Sequence, residues 1–421
     1  MNNYKEYKSS DIFWQTSIPS HWEVTRLKYV ISKLDRRRNP DDELLVCSNN
    51  GEVKKKGDSK MGLVATSDEI YQGVKKGDLL IHGMDTWHGA IAVSNYDGMC
   101  TPVVHVCDST QSKGYIALYL RNMANQKIFK LISNGVRQNT SDFRSWSKLA
   151  SIPIHLPPLP EQKQIVSYIE SKTSKIDTFV AAKEQEIKLL NELKQSEIAN
   201  VITKGLNPNV KMKDSGIPWI GEIPEHWEVK RVASLFTGNV ELNSDFEYQY
   251  AYKFKYGTLV PKEEVGDIED YRATYIKYSK IKKNDIVING LNLNYDFVSQ
   301  RVAIALEDGI ITSAYIVVRP RENTNANYYT YLFKTMDNKK LFHSMGTGIR
   351  LTLSYDELKK QFVIFPPLIE QKQIVEYIET KCSKIDVLIT ELQSEIEYLK
   401  EYKQRLIADC VTGKVQVTDN C

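Results

Sequence analysis

Pro157-Pro158-Leu159-Pro160-Glu161-Gln162-Lys163-Gln164-Ile165-Val166 returns as Pro366-Pro367-Leu368-Ile369-Glu370-Gln371-Lys372-Gln373-Ile374-Val375. The match runs on through Tyr168/Tyr377, Ile169/Ile378, Glu170/Glu379 and Ser174-Lys175-Ile176-Asp177 against Ser383-Lys384-Ile385-Asp386. An internal duplication is the first property that any function has to accommodate. Each copy predicts one long helix. Proline before the run suits a helix start, and Glu161 or Glu370 in the first turn complements the positive end of the helix dipole. Apolar residues then recur at spacings of three and four: Ile165, Ile169, Ile176, Val180, Ile187 and Leu190 in the first copy, and Ile374, Ile378, Ile385, Leu388, Leu392, Ile396, Leu399 and Leu406 in the second. Charged residues fill the other face, so each helix has an apolar seam and needs a long partner to cover it. The simplest partner is the other copy. From Glu161 to Lys204 the rise is about 66 Å, a spacer's length, and Gly205 and Gly413 mark the two ends.

The repeat reaches outward from the helices. Ile12-x-Trp14 with Ile18-Pro19-Ser20-His21-Trp22-Glu23-Val24 returns as Ile217-x-Trp219 with Ile223-Pro224-Glu225-His226-Trp227-Glu228-Val229. Lys75-Lys76-Gly77-Asp78-Leu79-Leu80-Ile81 answers Lys282-Lys283-Asn284-Asp285-Ile286-Val287-Ile288, and Gly83 answers Gly290. Ala90-Ile91-Ala92-Val93 with Asp97-Gly98 answers Ala303-Ile304-Ala305-Leu306 with Asp308-Gly309. Each half therefore predicts strand, loop, strand and an Asp-Gly hairpin turn, then another strand. Helix-like stretches Tyr115–Leu131 and Tyr328–Phe342 follow, which makes each half mixed α+β.

Two places in the repeat do not match. Gly83-Met84-Asp85-Thr86-Trp87-His88-Gly89 stands where the second half has the longer Gly290-Leu291-Asn292-Leu293-Asn294-Tyr295-Asp296-Phe297-Val298-Ser299-Gln300. Ser133-Asn134-Gly135-Val136-Arg137-Gln138-Asn139 stands against Gly346-Thr347-Gly348-Ile349-Arg350-Leu351-Thr352, sharing only Gly-x-Arg. A repeated scaffold with replaced loops points to two related but different ligands. Glycine allows close approach of the backbone, and arginine reaches phosphate or guanine.

Over 421 residues, 42% hydrophobic and 26% charged, the composition is that of a globular protein large enough for two or three domains. The net charge of +3 is unevenly spread: residues 1–156 carry the basic excess and 366–421 are net acidic. Nucleic acid therefore fits the globular parts and protein partners fit the helices, while so small an excess argues against strong autonomous DNA binding. No apolar run is long enough for a membrane span, no signal peptide is evident, and the six cysteines form no C-x-x-C pair, which predicts a cytoplasmic protein with reduced thiols.

With the paired Pro-Pro-Leu-x-Glu-Gln-Lys-Gln-Ile-Val helices, the paired Ile-Pro-x-His-Trp-Glu-Val segments and two divergent halves in view, the sequence resembles the DNA-specificity subunit of type I restriction–modification systems over essentially its whole length. That resemblance implies an α+β protein. Two similar mixed α/β target-recognition domains (1–156 and 211–365) would be joined by a central spacer helix and linker (157–210) and a C-terminal spacer helix and tail (366–421), the helices forming an antiparallel coiled coil with a pseudo-two-fold axis. It further implies that each domain reads half of a split duplex site, that two methyltransferase subunits dock on the helices, and that translocase–nuclease subunits join that core. The subunit itself would be non-catalytic, hold no metal and need no cofactor; S-adenosylmethionine, ATP and Mg²⁺ would belong to partner subunits. Bottom-up geometry leads the same way: antiparallel packing covers both seams, and readers on one side of a duplex would meet half-sites about 34 Å apart. The candidate readers are Thr86, Trp87, His88, Arg137, Gln138 and Asn139 in the first half, and Asn292, Asn294, Tyr295, Gln300, Thr347, Arg350 and Thr352 in the second.

Competing readings exist. Pro40-Asp41 followed by Glu52-Val53-Lys54 fits the Pro-Asp…Glu-x-Lys pattern of metal-dependent nucleases, so a stand-alone nuclease is one alternative; a coiled-coil scaffold that binds no DNA is another. His82, His88, Cys100, His105 and Cys107 could be taken for zinc ligands, but in the second half Cys100, His105 and Cys107 become Ile311, Ile316 and Val318, which favours packing. His21 and His226, each beside a tryptophan, read as structural. Arg36-Arg37-Arg38 and Lys54-Lys55-Lys56 read equally as solvated surface or as phosphate contacts. No Gly-x4-Gly-Lys-Ser/Thr loop occurs, and the Pro-Pro pairs follow Leu156 and Phe365 rather than the Asn or Asp of amino-methyltransferases.

Overall fold

The computed structural model of the chain describes residues 3–57, 71–133, 143–238 and 241–417. It divides into two compact units, Met1–Glu184 with Ser394–Cys421, and Gln185–Gln393. The two long helices, Leu159–Lys204 and Leu368–Val411, each contribute residues to both units, the division falling after Glu184 in the first and after Gln393 in the second.

The units share one topology. In the first, a four-stranded antiparallel sheet runs in the order Ile31–Lys33, Val104–Ser109, Leu79–His82, Ile91–Val93; in the second the order is Phe236–Gly238, Ile316–Pro320, Ile286–Ile288, Val302–Ile304. Alternation along the central strands buries both faces. Leu79 and Ile81 enter the main core with Trp22 and Tyr115, while Leu80 points into a second cluster with Cys47 and Cys100. Ile286 and Ile288 divide from Val287 in the same way. A two-stranded pair flanks each sheet (Gln72–Val74 with Gly98–Cys100, Ser279–Ile281 with Gly309–Ile311), and a hairpin lies beside each pair (Leu45–Cys47 with Val53–Lys55, Tyr252–Lys255 with Thr258–Pro261).

The Asp-Gly steps differ from the hairpin turns expected of them. Asp97 accepts from the Lys76 amide at 2.7 Å and Asp308 from the Lys283 amide at 2.8 Å, and the following glycine starts a strand. A Cβ on Gly98 would lie 2.5 Å from the Glu43 carbonyl, and one on Gly309 2.8 Å from the Tyr250 carbonyl. Glycine is needed there because the adjacent hairpin strand runs too close for any side chain. The helix-like stretches are likewise each two helices, Lys113–Asn125 with Ile128–Ile132 and Ala326–Asn338 with Leu341–Met345. Each break falls at a left-handed lysine, Lys127 (φ 60°) and Lys340 (φ 59°).

The repeated Glu-Gln at the head of each long helix fastens it to its unit. Glu161 accepts from His21 at 2.8 Å, from the Trp22 indole at 3.1 Å and from the Tyr4 hydroxyl at 2.5 Å; Glu370 pairs with His226 at 2.6 Å and accepts from the Trp227 indole at 3.0 Å. Gln162 is fully buried, accepting from the Ser112 amide at 2.9 Å and donating to the Pro157 carbonyl at 2.8 Å. Gln371 does the same with the Asn325 amide and the Pro366 carbonyl, each at 2.8 Å. The glutamate read as a helix-dipole partner is thus also the acceptor for the repeated His-Trp, and both histidines are structural.

The far end of the other helix closes each unit. Tyr115 donates to the Val411 carbonyl at 3.1 Å in the first unit, and Tyr328 to the Ile202 carbonyl at 2.7 Å in the second. Gly413 (φ 70°) and Gly205 (φ 76°) then turn beneath Trp22 and Trp227, where a Cβ would stand 3.1 Å from each indole. Between these anchors the helix halves run antiparallel. In the first unit Asp177 pairs with Lys403 at 2.6 Å and Lys183 with Glu395; in the second Lys194 pairs with Asp386 at 2.6 Å and Tyr377 donates to Glu197 at 2.7 Å. Ile165, Ile169 and Ile176 bury with Leu406 and Val411 in one unit, Ile374 and Ile378 with Val201 and Ile202 in the other. Each such side chain contributes about 1.5–3 kcal/mol. The expected seam departs at Leu388, which is 48% exposed. Past Gly205 the turn-rich stretch read as linker holds a short strand, Met212–Asp214, paired with Glu222–Pro224.

Candidate nucleic-acid interface

In the second unit the two unmatched loops join into one surface. The Leu293 amide donates to the Leu351 carbonyl at 3.0 Å, the Leu353 amide to the Gly290 carbonyl at 2.9 Å, and the Asn294 side chain to the Ile349 carbonyl at 3.3 Å. Gly290 is essential to this seam, because a Cβ there would fall 2.3 Å from the Leu353 carbonyl. Thr347 and Thr352 exchange backbone hydrogen bonds of 3.1 and 2.9 Å, which closes a tip carrying Ile349 and Arg350 into solvent. Asn292, Tyr295, Gln300, Thr347 and Arg350 are exposed, whereas Asn294 and Thr352 are half-buried. A concavity of about 660 Å³ opens among Asn289, Asn292, Tyr295, Asp296, Tyr315 and Arg350.

Arg301 supports that surface from below. It is 1% exposed and donates to the carbonyls of Leu291 at 2.7 Å, Asp296 at 2.8 Å and Asn289 at 3.2 Å, so one guanidinium gathers the first and middle parts of the loop. Its own amide donates to Asp337 at 2.8 Å, whose carboxyl burial pushes upward in pKa. Asp296 goes the opposite way: hydrogen bonds from Ser299, then from the Val298 amide, and the nearby Arg301 charge hold its carboxyl down at about 2. The loop is therefore held by fixed charge and backbone bonds. The sequence pattern missed Arg301 because it lies just past the loop and its equivalent in the first half is an alanine: the Asn289 amide donates to the Arg301 carbonyl as the His82 amide does to that of Ala90.

In the first unit the shorter loop makes the equivalent connection, between the strands Leu79–His82 and Ile91–Val93. Thr86–His88 forms one 3-10 turn ended by Gly89 (φ 80°), with Thr86 fully buried, Trp87 half-buried and His88 exposed. The Lys130 ammonium lies 5.6 Å from the centre of the Trp87 ring. His82 accepts from the Asp85 amide at 3.1 Å, and desolvation lowers its pKa. A Cβ on Gly83 would meet the Arg144 backbone at 2.9 Å, so Gly83 does for residues 143–144 what Gly290 does for Leu353. Arg137, Gln138 and Asn139 lie outside the described residues.

The other candidate clusters resolve into packing and pairing. Cys100 and Cys107 are buried in different clusters, on opposite sides of the sheet, and His105 hydrogen-bonds the Phe143 carbonyl at 2.7 Å. Of the Pro40-Asp41…Glu52-Val53-Lys54 pattern, Glu52 and Lys54 pair with each other at 3.0 Å. Among the described residues no group of three or more His, Cys, Asp or Glu is arranged to hold a metal ion, and no helix is long and apolar enough to cross a membrane. Arg36 pairs with the buried Asp78, as Arg319 pairs with Asp285 at 2.8 Å in the other unit, so the first arginine of that cluster is part of the fold.

The family described as type I restriction modification DNA specificity domain matches residues 19–189 and again 224–398. The chain belongs to that family. Two specificity domains in one chain fit the two units of equal topology. The chain is 24% identical over 441 residues to the type I restriction enzyme MjaVIII specificity subunit of Methanocaldococcus jannaschii, covering 99% of this chain and 98% of that protein. It is also 24% identical over 447 residues to a protein of the same organism provisionally named the MjaX specificity subunit, with 98% of each covered. Its fold is similar to that of a chain solved in work on complex assembly and conformational transition of the type I R-M system, with a TM-score of 0.69, 16% identity, and 94% of this chain and 99% of that chain covered.

Proposed function

We propose that this specificity-family chain reads a bipartite, asymmetric duplex site, one half per unit, and carries two methyltransferase subunits on its long helices. One observation carries the reading: equivalent places on one repeated scaffold hold loops of different length and chemistry, knitted in the second unit into a single exposed surface. Phosphate contacts from Lys and Arg set register, and side chains such as Asn292, Tyr295, Gln300, Arg350 and His88 read base edges. The chain performs no chemistry itself. S-adenosylmethionine, ATP and Mg²⁺ are used by partner subunits, the translocase–nuclease subunits among them, and the assembly works on DNA in the cytoplasm.

The docking half of the proposal rests on exposed apolar side chains at repeated positions. Phe179, Tyr398 and Tyr402 are 61%, 72% and 50% exposed on the helix halves of the first unit. Their counterparts in the second, Leu388, Leu189 and Leu193, are 48%, 54% and 55% exposed. A solvent-facing apolar set that occurs twice fits two copies of one partner. The test is to exchange residues 1–156 for those of another family member and to map methylated bases in cells that also make the methyltransferase subunit. One half of the methylated site should change and the other should persist; an unchanged site would overturn the proposal.

A further inference from the structure

Beside the unmatched loops, each unit carries a hairpin whose tip differs between the two copies. Its strands are equivalent: Leu44 bridges Met99 in parallel in the first unit, and Ala251 bridges Ile310 in parallel in the second. Both tips press on a reading loop. In the first unit the tip is Ser48-Asn49-Asn50-Gly51-Glu52, and a Cβ on Gly89 would stand 3.5 Å from the Asn49 carbonyl. Arg121 holds this tip from behind by donating to the Asn50 carbonyl at 2.7 Å, leaving the Asn49 and Asn50 side chains in solvent. In the second unit the tip is Tyr256-Gly257, and a Cβ on Gly257 would fall 2.3 Å from Oε1 of Gln300, the last residue of the unmatched loop.

The second tip has unusual backbone chemistry. Lys255 faces Thr258 in register, so Tyr256 and Gly257 are the two central residues of the turn, with φ of 49° and 74°. A two-residue turn with both φ positive strongly favours Asn-Gly or Gly-Gly, and tyrosine is disfavoured in that conformation. Here tyrosine occupies it, and the ring is 89% exposed. Along the strand Tyr252 and Phe254 turn inward while Lys253 and Lys255 turn outward, and among the described residues neither ammonium has an ion-pair partner. An aromatic kept in a strained turn, next to two free cations and a candidate base reader, is placed for a ligand rather than for the fold.

We infer that these hairpin tips are a further DNA-contacting element in each unit: Tyr256 against the bases or sugars with Lys253 and Lys255 on phosphates in the second, Asn49 and Asn50 on base edges in the first. This rests on the proposed reading of duplex DNA. The test uses the full chain in complex with its methyltransferase subunits and three duplexes: the methylated sequence and two versions, each scrambled in one half. Tyr256→Asn installs the residue this turn prefers, so Tm should hold or rise while loss of the tyrosine's contact with base edges and sugars lowers affinity for the intact site about tenfold, the loss arising from one half only. The double variant Lys253→Ala/Lys255→Ala should lower the slope of log K against log salt by about two. Asn49→Ala/Asn50→Ala should weaken preference at the opposite half. A selective wild-type complex whose Tyr256→Asn and lysine variants both bind as before would overturn this inference alone. A wild-type complex with no preference among the duplexes would overturn the parent reading and this one with it.

Discussion

Replacing Arg301 by methionine, which keeps much of the buried aliphatic volume, removes the charged donor from the carbonyls of Leu291, Asp296 and Asn289. Hydrogen bonds to charged groups contribute about 1.5–3 kcal/mol each, and carbonyls near the loop surface recover part of that from water, so a net loss of about 3 kcal/mol in loop order is expected. If binding needs the ordered loop, apparent affinity falls by the fraction still ordered, and about 3 kcal/mol corresponds to roughly 100-fold. The assay is fluorescence anisotropy of the methyltransferase-bound chain on its methylated duplex and on duplexes scrambled in one half. Arg301→Met should stop distinguishing the half read by the second unit and keep full preference for the other. Affinity within about threefold of wild type, with both preferences intact, would refute the assignment of residues 290–300 as a reading loop held by this arginine.

Other outcomes follow from the anchors. Glu161→Ala and Glu370→Ala each leave a buried indole N–H without its acceptor and should cost about 1–3 kcal/mol, read as a lowered urea midpoint at unchanged m. Gly413→Ala and Gly205→Ala force a Cβ to 3.1 Å from Trp22 or Trp227 at positive φ, and should each destabilise by about 1–3 kcal/mol with no change in which bases are read. His155 is fully buried between Ser10 and Tyr119, and desolvation holds its pKa down at about 4. A group whose folded pKa lies below its unfolded value is protonated first in the unfolded chain. The stability it adds is therefore complete above about pH 6.5 and is lost as pH falls toward about 4, and His155→Gln should flatten that limb of an acid denaturation curve. Tyr398→Glu with Tyr402→Glu should weaken loading of one methyltransferase subunit, seen as a fall in stoichiometry by native mass spectrometry.

The parts of this fold legible in the sequence are those encoded by local periodicity and by repetition. Spacings of three and four announce two helices of 46 and 44 residues, and Gly205 and Gly413 mark their ends because a left-handed residue is needed there. The roles of Glu161 and Gln162 were not legible, since their partners Trp22 and Ser112 are distant in sequence and only folding brings them together. Asp97-Gly98 carried a strong hairpin signal, but a close strand was the stronger constraint. The candidate readers were found through mismatch, which locates a loop without orienting its side chains; Thr86 shows this, being inside a 3-10 turn. Arg301, Tyr256 and the hairpin tips were hidden because no motif frames them.

The dependence of Trp22's surroundings on Thr412 and Gly413 bears on how the protein is made. Residues 185–393 are contiguous and can complete their unit while translation continues. The N-terminal unit cannot, because Tyr115 waits for Val411, Gln15 for Thr412 and Tyr7 for Gly413. Residues 1–184 thus emerge before residues 185–393 but complete their unit after them, and a nascent chain stalled short of Val411 to Gly413 would present an unsealed tryptophan to chaperones and proteases.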